Sequence, residues 1–281
     1  MSEDNANAAK GKKTGLSRKQ LYIIVGVVII VVAGVLIYSA LSGSSAQANL
    51  AQSDGQPVPA AVLSNLNVPN SVASAVGLGV AGTSDIAING TSARSNGKPI
   101  IVYIGAEYCP YCAAERWSMV IALMRFGTFS NLHLMTSSAV DAYPNTPTFT
   151  FYNSTYTSQY IDFVSVEETT NKVEGTSYQP LQFPNASENA SVEKYDPKGS
   201  IPYIWFANKS VSLGAAYSPA LLGTGNWSTI STQLNNASSA DAEGIVGGAN
   251  LLTAQICMAD NNTPASVCGQ TYIVSIEHQL G

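Results

Sequence analysis

The longest hydrophobic stretch of the chain lies near its N-terminus. Residues 21–41, LYIIVGVVIIVVAGVLIYSAL, are apolar on every face and carry no charge. About 20 such residues are enough for a helix to cross a bilayer. Residues 1–20 are polar and basic, whereas the first basic residue after the run is Arg94. The pattern therefore predicts a single membrane anchor, with the N-terminus in the cytoplasm and the rest of the chain outside it.

A cleaved signal peptide is the alternative interpretation of this segment. Ala46-Gln47-Ala48 resembles a cleavage site, although the apolar run is longer than is usual for a signal sequence. Residues 42–60 are small, polar and interrupted by proline, which is typical of a flexible linker. We therefore expect a cytoplasmic tail at 1–20, an anchor at 21–41, a linker at 42–60 and a folded domain at 61–281.

A short apolar run followed by a helical pattern surrounds the first two cysteines. Residues 100–104, IIVYI, predict a strand that is buried on both faces. After the turn at Gly105, the apolar residues Trp117, Val120, Ile121 and Met124 recur at helical spacing. Cys109 and Cys112 therefore lie where the strand turns into the helix.

The remaining pattern predicts further strands and then helices. Residues 132–138 are expected to form the next parallel strand, and residues 139–199 a β-rich insertion. The aromatic residues of this insertion either present a docking surface or fill a local core. Residues 203–207 and 210–217 predict an antiparallel hairpin, and residues 218–256 are helical in tendency.

Composition limits the classes of partner. The chain has 281 residues, of which 46% are hydrophobic and only 11% charged, and its net charge is −5. A chain with this charge balance and no basic patch beyond its N-terminus gives no reason to expect nucleic acid as a partner. Its length and hydrophobic content are sufficient for a large buried core.

The four cysteines can pair in three ways, and their spacing favours Cys109 with Cys112 and Cys257 with Cys268. A helix N-terminus favours the thiolate over the thiol, which lowers the pKa of a cysteine placed there. Cys109 is in that position. Its thiolate would attack a disulfide, and Cys112, one helical turn further on, would resolve the mixed disulfide.

Two other roles for the first pair are open but less well supported. A zinc site needs four ligands, and the chain adds only His133 and His278 to its cysteines. A purely structural bridge between Cys109 and Cys112 would close a very short loop, which stabilises a fold little. We predict no metal and no cofactor.

The stretch YCPYC at residues 108–112 is similar to the glutaredoxin active site, and AEYC at 106–109 to the residues that precede the thioredoxin pair. Together with KYDPKGSIPYIWFAN at 194–208 and LLTAQICMADNNTPASVC at 251–268, these motifs resemble the thioredoxin superfamily. Within it, the chain resembles an uncharacterised family of membrane-anchored thioredoxin-like proteins from archaea and actinobacteria.

This resemblance implies an α/β, thioredoxin-like fold with a β-rich insertion before a strand that begins with a cis-proline. Pro202 is the candidate for that proline, and Ile201 beside it would hold an extended substrate. We also expect Tyr108, Pro110 and Tyr111 to contact the substrate.

The chain departs from the superfamily at one position that matters for proton transfer. The superfamily carries a buried acid six residues before the first cysteine, where this chain has Tyr103. Glu107 and Glu115 are the nearest alternatives, although glutamates are more often solvated than buried.

The leading hypothesis is an extracytoplasmic, membrane-anchored thiol–disulfide oxidoreductase that acts on protein thiols and disulfides. A membrane redox partner would supply or accept its electrons. The alternatives are a non-catalytic surface protein on the same scaffold and a dedicated reductase for one partner. Cys257 and Cys268 are expected to form a structural bridge, and the alternative is a second redox pair that relays electrons.

Overall fold

The computed structural model describes residues 49–82, 84–88 and 90–281. The predicted cytoplasmic tail and anchor lie outside these residues, as do residues 42–48 of the predicted linker. Among the described residues, no helix is long and apolar enough to cross a bilayer.

The described chain contains eight α-helices and twelve strands. The helices are α1 (Ala60–Leu66), α2 (Asn70–Val76), α3 (Pro110–Met124), α4 (Ala186–Tyr195), α5 (Trp227–Gln233), α6 (Gly247–Ala259), α7 (Ala265–Cys268) and α8 (Thr271–Leu280). Short 3₁₀ segments lie at Ala51–Ser53 and Pro219–Leu222, and a π-helical turn at Ala242–Val246. The strands are β1 (Ser84–Ala87), β2 (Arg94–Ser95), β3 (Lys98–Gly105), β4 (Gly127–Ser130), β5 (His133–Thr136), β6 (Pro147–Thr150), β7 (Thr155–Ser158), β8 (Asp162–Glu167), β9 (Thr169–Glu174), β10 (Ser177–Pro180), β11 (Tyr203–Phe206) and β12 (Ser210–Leu213).

A mixed sheet of six strands forms the centre of the fold. Its central strand is β3, which pairs with β8 in parallel and with β11 in antiparallel orientation. β12 and then β1 continue the sheet beyond β11, and β2 pairs with the first residues of β3. The parallel pair β3 and β8 is connected through α3, which carries the first cysteine pair.

Both faces of the central sheet are covered, as the continuous apolar run of β3 predicts. Ile101 and Tyr103 point to the side of α3 and α6, where they join the larger core. Val102 and Ile104 point to the opposite side, where they pack with residues of α4. Successive side chains of a strand point to opposite faces of the sheet. Tyr103 therefore lies on the same side of the sheet as α3, the helix that begins after Cys109 and contains Cys112.

The parallel partner of β3 differs from the prediction. Residues 132–138 were expected to take that place, but β5 pairs with β6 in a separate antiparallel hairpin. The strand beside β3 is β8, whose register aligns Val102 with Val164 and Ile104 with Val166. Both segments are short and combine apolar with polar residues, so the hydrophobic pattern alone does not distinguish between them.

The predicted insertion at 139–199 therefore needs correction, because it contains β8, the strand of the main sheet that pairs with β3 in parallel. The additional structure comes in separate pieces: the pairs β4–β7 and β5–β6 lie before β8 in the chain, and the hairpin β9–β10 follows it. These pieces do not form a separate lobe. All the described residues belong to one compact unit that spans Ala46–Gly281.

The expected boundary between linker and domain at residue 60 is also wrong. Residues 55–58 run beside β5, where the N–H groups of Gly55 and Val58 donate to the carbonyl oxygens of Leu134 and Leu132 at 2.9 and 3.0 Å. Val58 is buried in the main core. The fold therefore includes residues from about 50 onwards, because this segment satisfies the free edge of β5.

Candidate functional site

Cys109 is the N-cap residue of α3, and Pro110 is the first residue of that helix. The Cys109 Sγ accepts a hydrogen bond from the backbone N–H of Cys112 at 3.4 Å. Hydrogen bonds from the side chain and backbone of Cys112, together with the charge of Arg116, lower the pKa of Cys109 in spite of its burial. Cys109 is therefore the thiol of the pair that ionises first.

The pKa of Cys112 is shifted in the opposite direction. It has no exposed surface, whereas Cys109 keeps 6% of its surface accessible. Burial, followed by the hydrogen bond with Cys109, raises the pKa of Cys112 well above its ordinary value. The pair thus consists of one slightly exposed cysteine whose pKa is lowered and one fully enclosed cysteine whose pKa is raised.

Pro202 and Ile201 face the cysteine pair from the start of β11. The Ile201–Pro202 peptide bond is cis, as the sequence predicted. The Cys109 thiol lies 3.9 Å from the carbonyl oxygen of Ile201 and can donate a long hydrogen bond to it. Residues separated by about ninety positions in the chain are in this way brought to one site.

Aromatic residues border the pair on another side. Tyr108 stacks on Tyr178 of β10 with ring centroids 4.0 Å apart. Tyr111 is 43% exposed and meets the edge of Tyr143 at a centroid distance of 6.1 Å. Of the residues predicted to contact a substrate, Tyr111 is thus exposed and Tyr108 partly so. Pro110 is buried, because it forms the first helical turn against the body of the protein.

A buried ion pair lies beneath the cysteines, and the sequence analysis missed it. Arg116 Nε and Nη2 donate to the two carboxylate oxygens of Glu167 at 2.8 and 2.6 Å. Arg116 Nη2 also donates to the carbonyl oxygen of Ala106 at 2.7 Å. Both charged side chains are fully buried, and the guanidinium charge favours the thiolate forms of Cys109 and Cys112.

Tyr103 occupies the interior below Cys112. Its hydroxyl is buried and has no hydrogen-bond partner among the described residues. Burial raises its pKa well above the ordinary value, so the hydroxyl is neutral. A Cβ atom added to Gly105 would collide with this hydroxyl and would lie 3.1 Å from Cys112 Sγ. The absence of a side chain at Gly105 therefore leaves the hydroxyl and the buried thiol close together.

Glu107 and Glu115 are buried, contrary to the expectation that such residues are solvated. Glu107 accepts a hydrogen bond from the Thr150 hydroxyl at 2.7 Å, and burial raises its pKa to about 7. Glu115 accepts one from the backbone N–H of Ala216 at 2.7 Å, and burial again raises its pKa to about 7. Each acid is tolerated in the interior because it is hydrogen-bonded and can be protonated.

Two of the aromatic residues at 149–163, Phe149 and Phe151, fill the core. Phe149 packs against Trp117 and Phe151 against Tyr103, with centroid distances of 4.6 and 5.2 Å. Both phenylalanines are buried. Of the two interpretations of these aromatics, the structural one is therefore correct for Phe149 and Phe151.

The second cysteine pair lies on other helices than the first. Cys257 and Cys268 form a disulfide, as predicted, and both are buried between α6 and the short α7. In residues 49–82, 84–88 and 90–281, no cluster of three or more histidines, cysteines or acids could hold a metal ion. Ionisable sulfur in the described chain is thus confined to Cys109 and Cys112.

Comparison with known proteins gives one match. Residues 84–181 match the family model described as a domain of unknown function (DUF929). The matched region includes both cysteines of the first pair and ends before Pro202. Neither a curated protein nor a solved structure matches the chain.

Proposed function

We propose that this protein is a thiol–disulfide oxidoreductase with a thioredoxin-like fold, and that proteins are its substrates. The observation that carries the proposal is the asymmetry of the pair: a Cys109 thiol at a helix N-terminus with a lowered pKa, and a fully enclosed Cys112. Thiolates at such positions are the nucleophiles of disulfide exchange. The cis Ile201–Pro202 bond beside Cys109 supports the same fold assignment.

The exchange would proceed in two steps. The Cys109 thiolate attacks one sulfur of a substrate disulfide, so that a mixed disulfide forms and the other substrate sulfur leaves as a thiolate that takes a proton from water. Cys112 then loses its proton and attacks Cys109 Sγ, which closes the Cys109–Cys112 bond and releases the second substrate thiolate. Two electrons pass from the protein dithiol to the substrate disulfide, and the reverse sequence oxidises a substrate dithiol.

We place this activity outside the cytoplasm and on a membrane. The basic residues 1–20 and the apolar residues 21–41 support an anchor of that orientation. The Cys257–Cys268 bridge supports the same location, because structural disulfides persist in oxidising compartments. Residues near Ile201 would hold the substrate backbone beside Cys109.

The test is to mix the purified full-length chain, reduced at Cys109 and Cys112 only, with a short peptide disulfide. We expect the Cys112→Ser variant to accumulate a mixed disulfide at Cys109 that mass spectrometry detects. The Cys109→Ser variant should lose exchange by about three orders of magnitude, since the enclosed Cys112 cannot reach the peptide.

A Cys257→Ala/Cys268→Ala variant is the control, and it should exchange normally. Full exchange by Cys109→Ser would refute the assigned nucleophile. A wild-type chain that stays inert towards every peptide disulfide would favour a non-catalytic role for the scaffold. A Cys112→Ser variant that captures one dominant protein from its native membrane would indicate a dedicated reductase.

A further inference from the structure

One small pocket of the described chain is lined in part by Ile201, the residue whose carbonyl oxygen faces Cys109. Its volume is about 60 Å³. A site of one water needs roughly 10–15 Å³. The pocket therefore has room for about four to six water-sized groups, which is the size of one amino-acid side chain.

The walls of this pocket are mostly apolar, with one carboxylate among them. Ile104 at the end of β3 and Tyr203 at the start of β11 contribute side chains from the sheet, and Val192 contributes one from α4. Glu168, directly after β8, also lines the pocket. Asn189 and Ser200 are the other polar residues of the wall. A cavity with apolar walls on one side and a single carboxylate suits a side chain with an apolar stem and a polar or cationic end.

The Glu168 backbone is fixed, whereas its carboxylate is free. The Glu168 N–H donates to the carbonyl oxygen of Gly105 at 2.7 Å, and the Glu168 carbonyl accepts from Leu181 N–H at 2.9 Å. Within the part of the chain that the structure describes, its carboxylate makes no hydrogen bond and no ion pair. Burying a carboxylate without a partner costs free energy, and a cation that pairs with the carboxylate reduces that cost.

The nearby N-terminus of α4 does not counteract the preference of the pocket for a cation. Its free N–H groups would attract an anion, but the Asn185 side chain already accepts from the N–H groups of Ser187 and Glu188. The Glu188 carboxylate in turn accepts from Asn185 N–H. The helix end is therefore capped and carries a negative charge of its own.

We propose that the pocket between Glu168 and Ile201 is a specificity site that takes a lysine or arginine side chain of the substrate polypeptide, close to the cysteine that Cys109 attacks. This inference rests on the proposed function and names its substrate class. The cationic end group pairs with the Glu168 carboxylate, and the methylene stem lies against Ile104 and Val192. Polypeptides with an acidic residue at that place, and the anionic tripeptide glutathione, are disfavoured.

The test uses peptide disulfides that differ at one position. The purified full-length chain, reduced at Cys109 and Cys112, is mixed with peptides in which lysine, norleucine or glutamate stands at each of the four positions nearest the cysteine. We expect the lysine peptide to react about three- to tenfold faster than the norleucine peptide at one of these positions, and the glutamate peptide more slowly still. Added salt should reduce the rate differences between the lysine, norleucine and glutamate peptides.

Variants at Glu168 then separate the pocket from the general field of the protein. Glu168→Gln should react equally with the lysine and norleucine peptides, and Glu168→Lys should favour the glutamate peptide. Both substitutions leave the backbone hydrogen bonds of residue 168 in place. Glu193→Gln removes the same charge from an exposed position on α4 and outside the pocket, and it should keep the wild-type preference.

Three results would overturn the inference. Equal rates for all wild-type peptides would show that the pocket does not select, although the oxidoreductase function would stand. A lysine preference that survives Glu168→Gln would locate the selection elsewhere. If no peptide reacts at Cys109 at all, the proposed function fails and the inference fails with it.

Discussion

The two cysteine pairs of this protein lie in contrasting surroundings. Cys109 and Cys112 are three residues apart at a helix N-terminus, above a buried arginine and beside an accessible edge of the fold. Cys257 and Cys268 are eleven residues apart and bridged, with both sulfurs enclosed in the main core. The surroundings of Cys109 thus favour the thiolate, whereas Cys257 and Cys268 are bonded to each other and form no thiolate.

This difference indicates that position decides what a cysteine pair does. A thiolate gains from backbone N–H groups and a nearby cation, and the first pair has both. A bridge stabilises a fold in proportion to the loop that it closes, and only the second pair closes a loop of useful length. We therefore assign redox chemistry to the first pair and stabilisation to the second, and three sets of variants can test the division.

The largest expected effect comes from Arg116→Met. Removing the cation leaves Glu167 buried and unpaired, which should lower the free energy of unfolding by about 3–5 kcal/mol. The pKa of Cys109 should rise, because the Arg116 charge no longer favours the thiolate. Denaturant unfolding measures the first effect, and the rate of Cys109 alkylation near pH 6 measures the second.

A double variant separates these two effects. Arg116→Met/Glu167→Leu removes both charges, so it should recover most of the stability. Its Cys109 should still alkylate slowly near pH 6. Alkylation at the wild-type rate in this variant would show that Arg116 has no part in activating Cys109, and the first pair would then depend on the helix N-terminus alone.

The second prediction concerns the bridged pair. Replacing Cys257 and Cys268 by alanine should lower the free energy of unfolding by about 3 kcal/mol, from the entropy of the opened loop. Peptide exchange at Cys109 should remain within about twofold of wild type at temperatures where the variant is folded. Urea unfolding and exchange kinetics on the same sample provide both values.

Loss of exchange in that folded variant would contradict the division of roles. It would mean that Cys257 and Cys268 pass electrons to the first pair, as in the relay alternative. Their burial argues against this, because a disulfide must be reached by an attacking thiolate before it can exchange.

The smallest effect is expected from Tyr103→Phe. The Tyr103 hydroxyl is buried without a partner, so its removal should change the stability by no more than about 1 kcal/mol and in the favourable direction. The resolving step should slow by a few fold, because a neutral hydroxyl near Cys112 can donate to its developing thiolate. Release of a preformed mixed disulfide in a stopped-flow experiment follows this step.

Tyr217→Phe is the matched control for this prediction. The Tyr217 hydroxyl is also buried, but it donates to the carbonyl oxygen of Ala114 at 2.6 Å. Its loss should cost about 1 kcal/mol of stability and leave the resolving step unchanged. An unchanged rate in Tyr103→Phe as well would show that the hydroxyl near Cys112 only fills space.

Local features of the fold could be predicted from the sequence, and pairings between distant strands could not. The position of Cys109 follows from an apolar strand, a glycine and a helical pattern within about 25 residues. The choice of β8 over β5 as the partner of β3 depends on hydrogen bonds between distant segments. Both candidate strands are short and combine apolar with polar residues, so their composition does not indicate which of them joins the main sheet.

The buried charges of the site were missed for a related reason. Arg116 is in a helix and Glu167 at the end of a strand, 51 residues apart, where charged residues are usually solvated. The two residues can be buried because they pair with each other, and only the folded structure brings them together. Glu168, the next residue, lines the pocket and has no side-chain partner in the described part of the chain. Nothing in the local sequence distinguishes these two glutamates.

The most direct test of the central claim is a redox titration of the full-length chain with thiol trapping of each pair. The account predicts that Cys109–Cys112 equilibrates at a potential between about −120 and −270 mV, the range of known exchange catalysts. Cys257–Cys268 should remain oxidised to below about −300 mV, as structural bonds do. A Cys109–Cys112 bond that also stays closed below about −300 mV would behave as a structural bridge and would contradict the proposed activity.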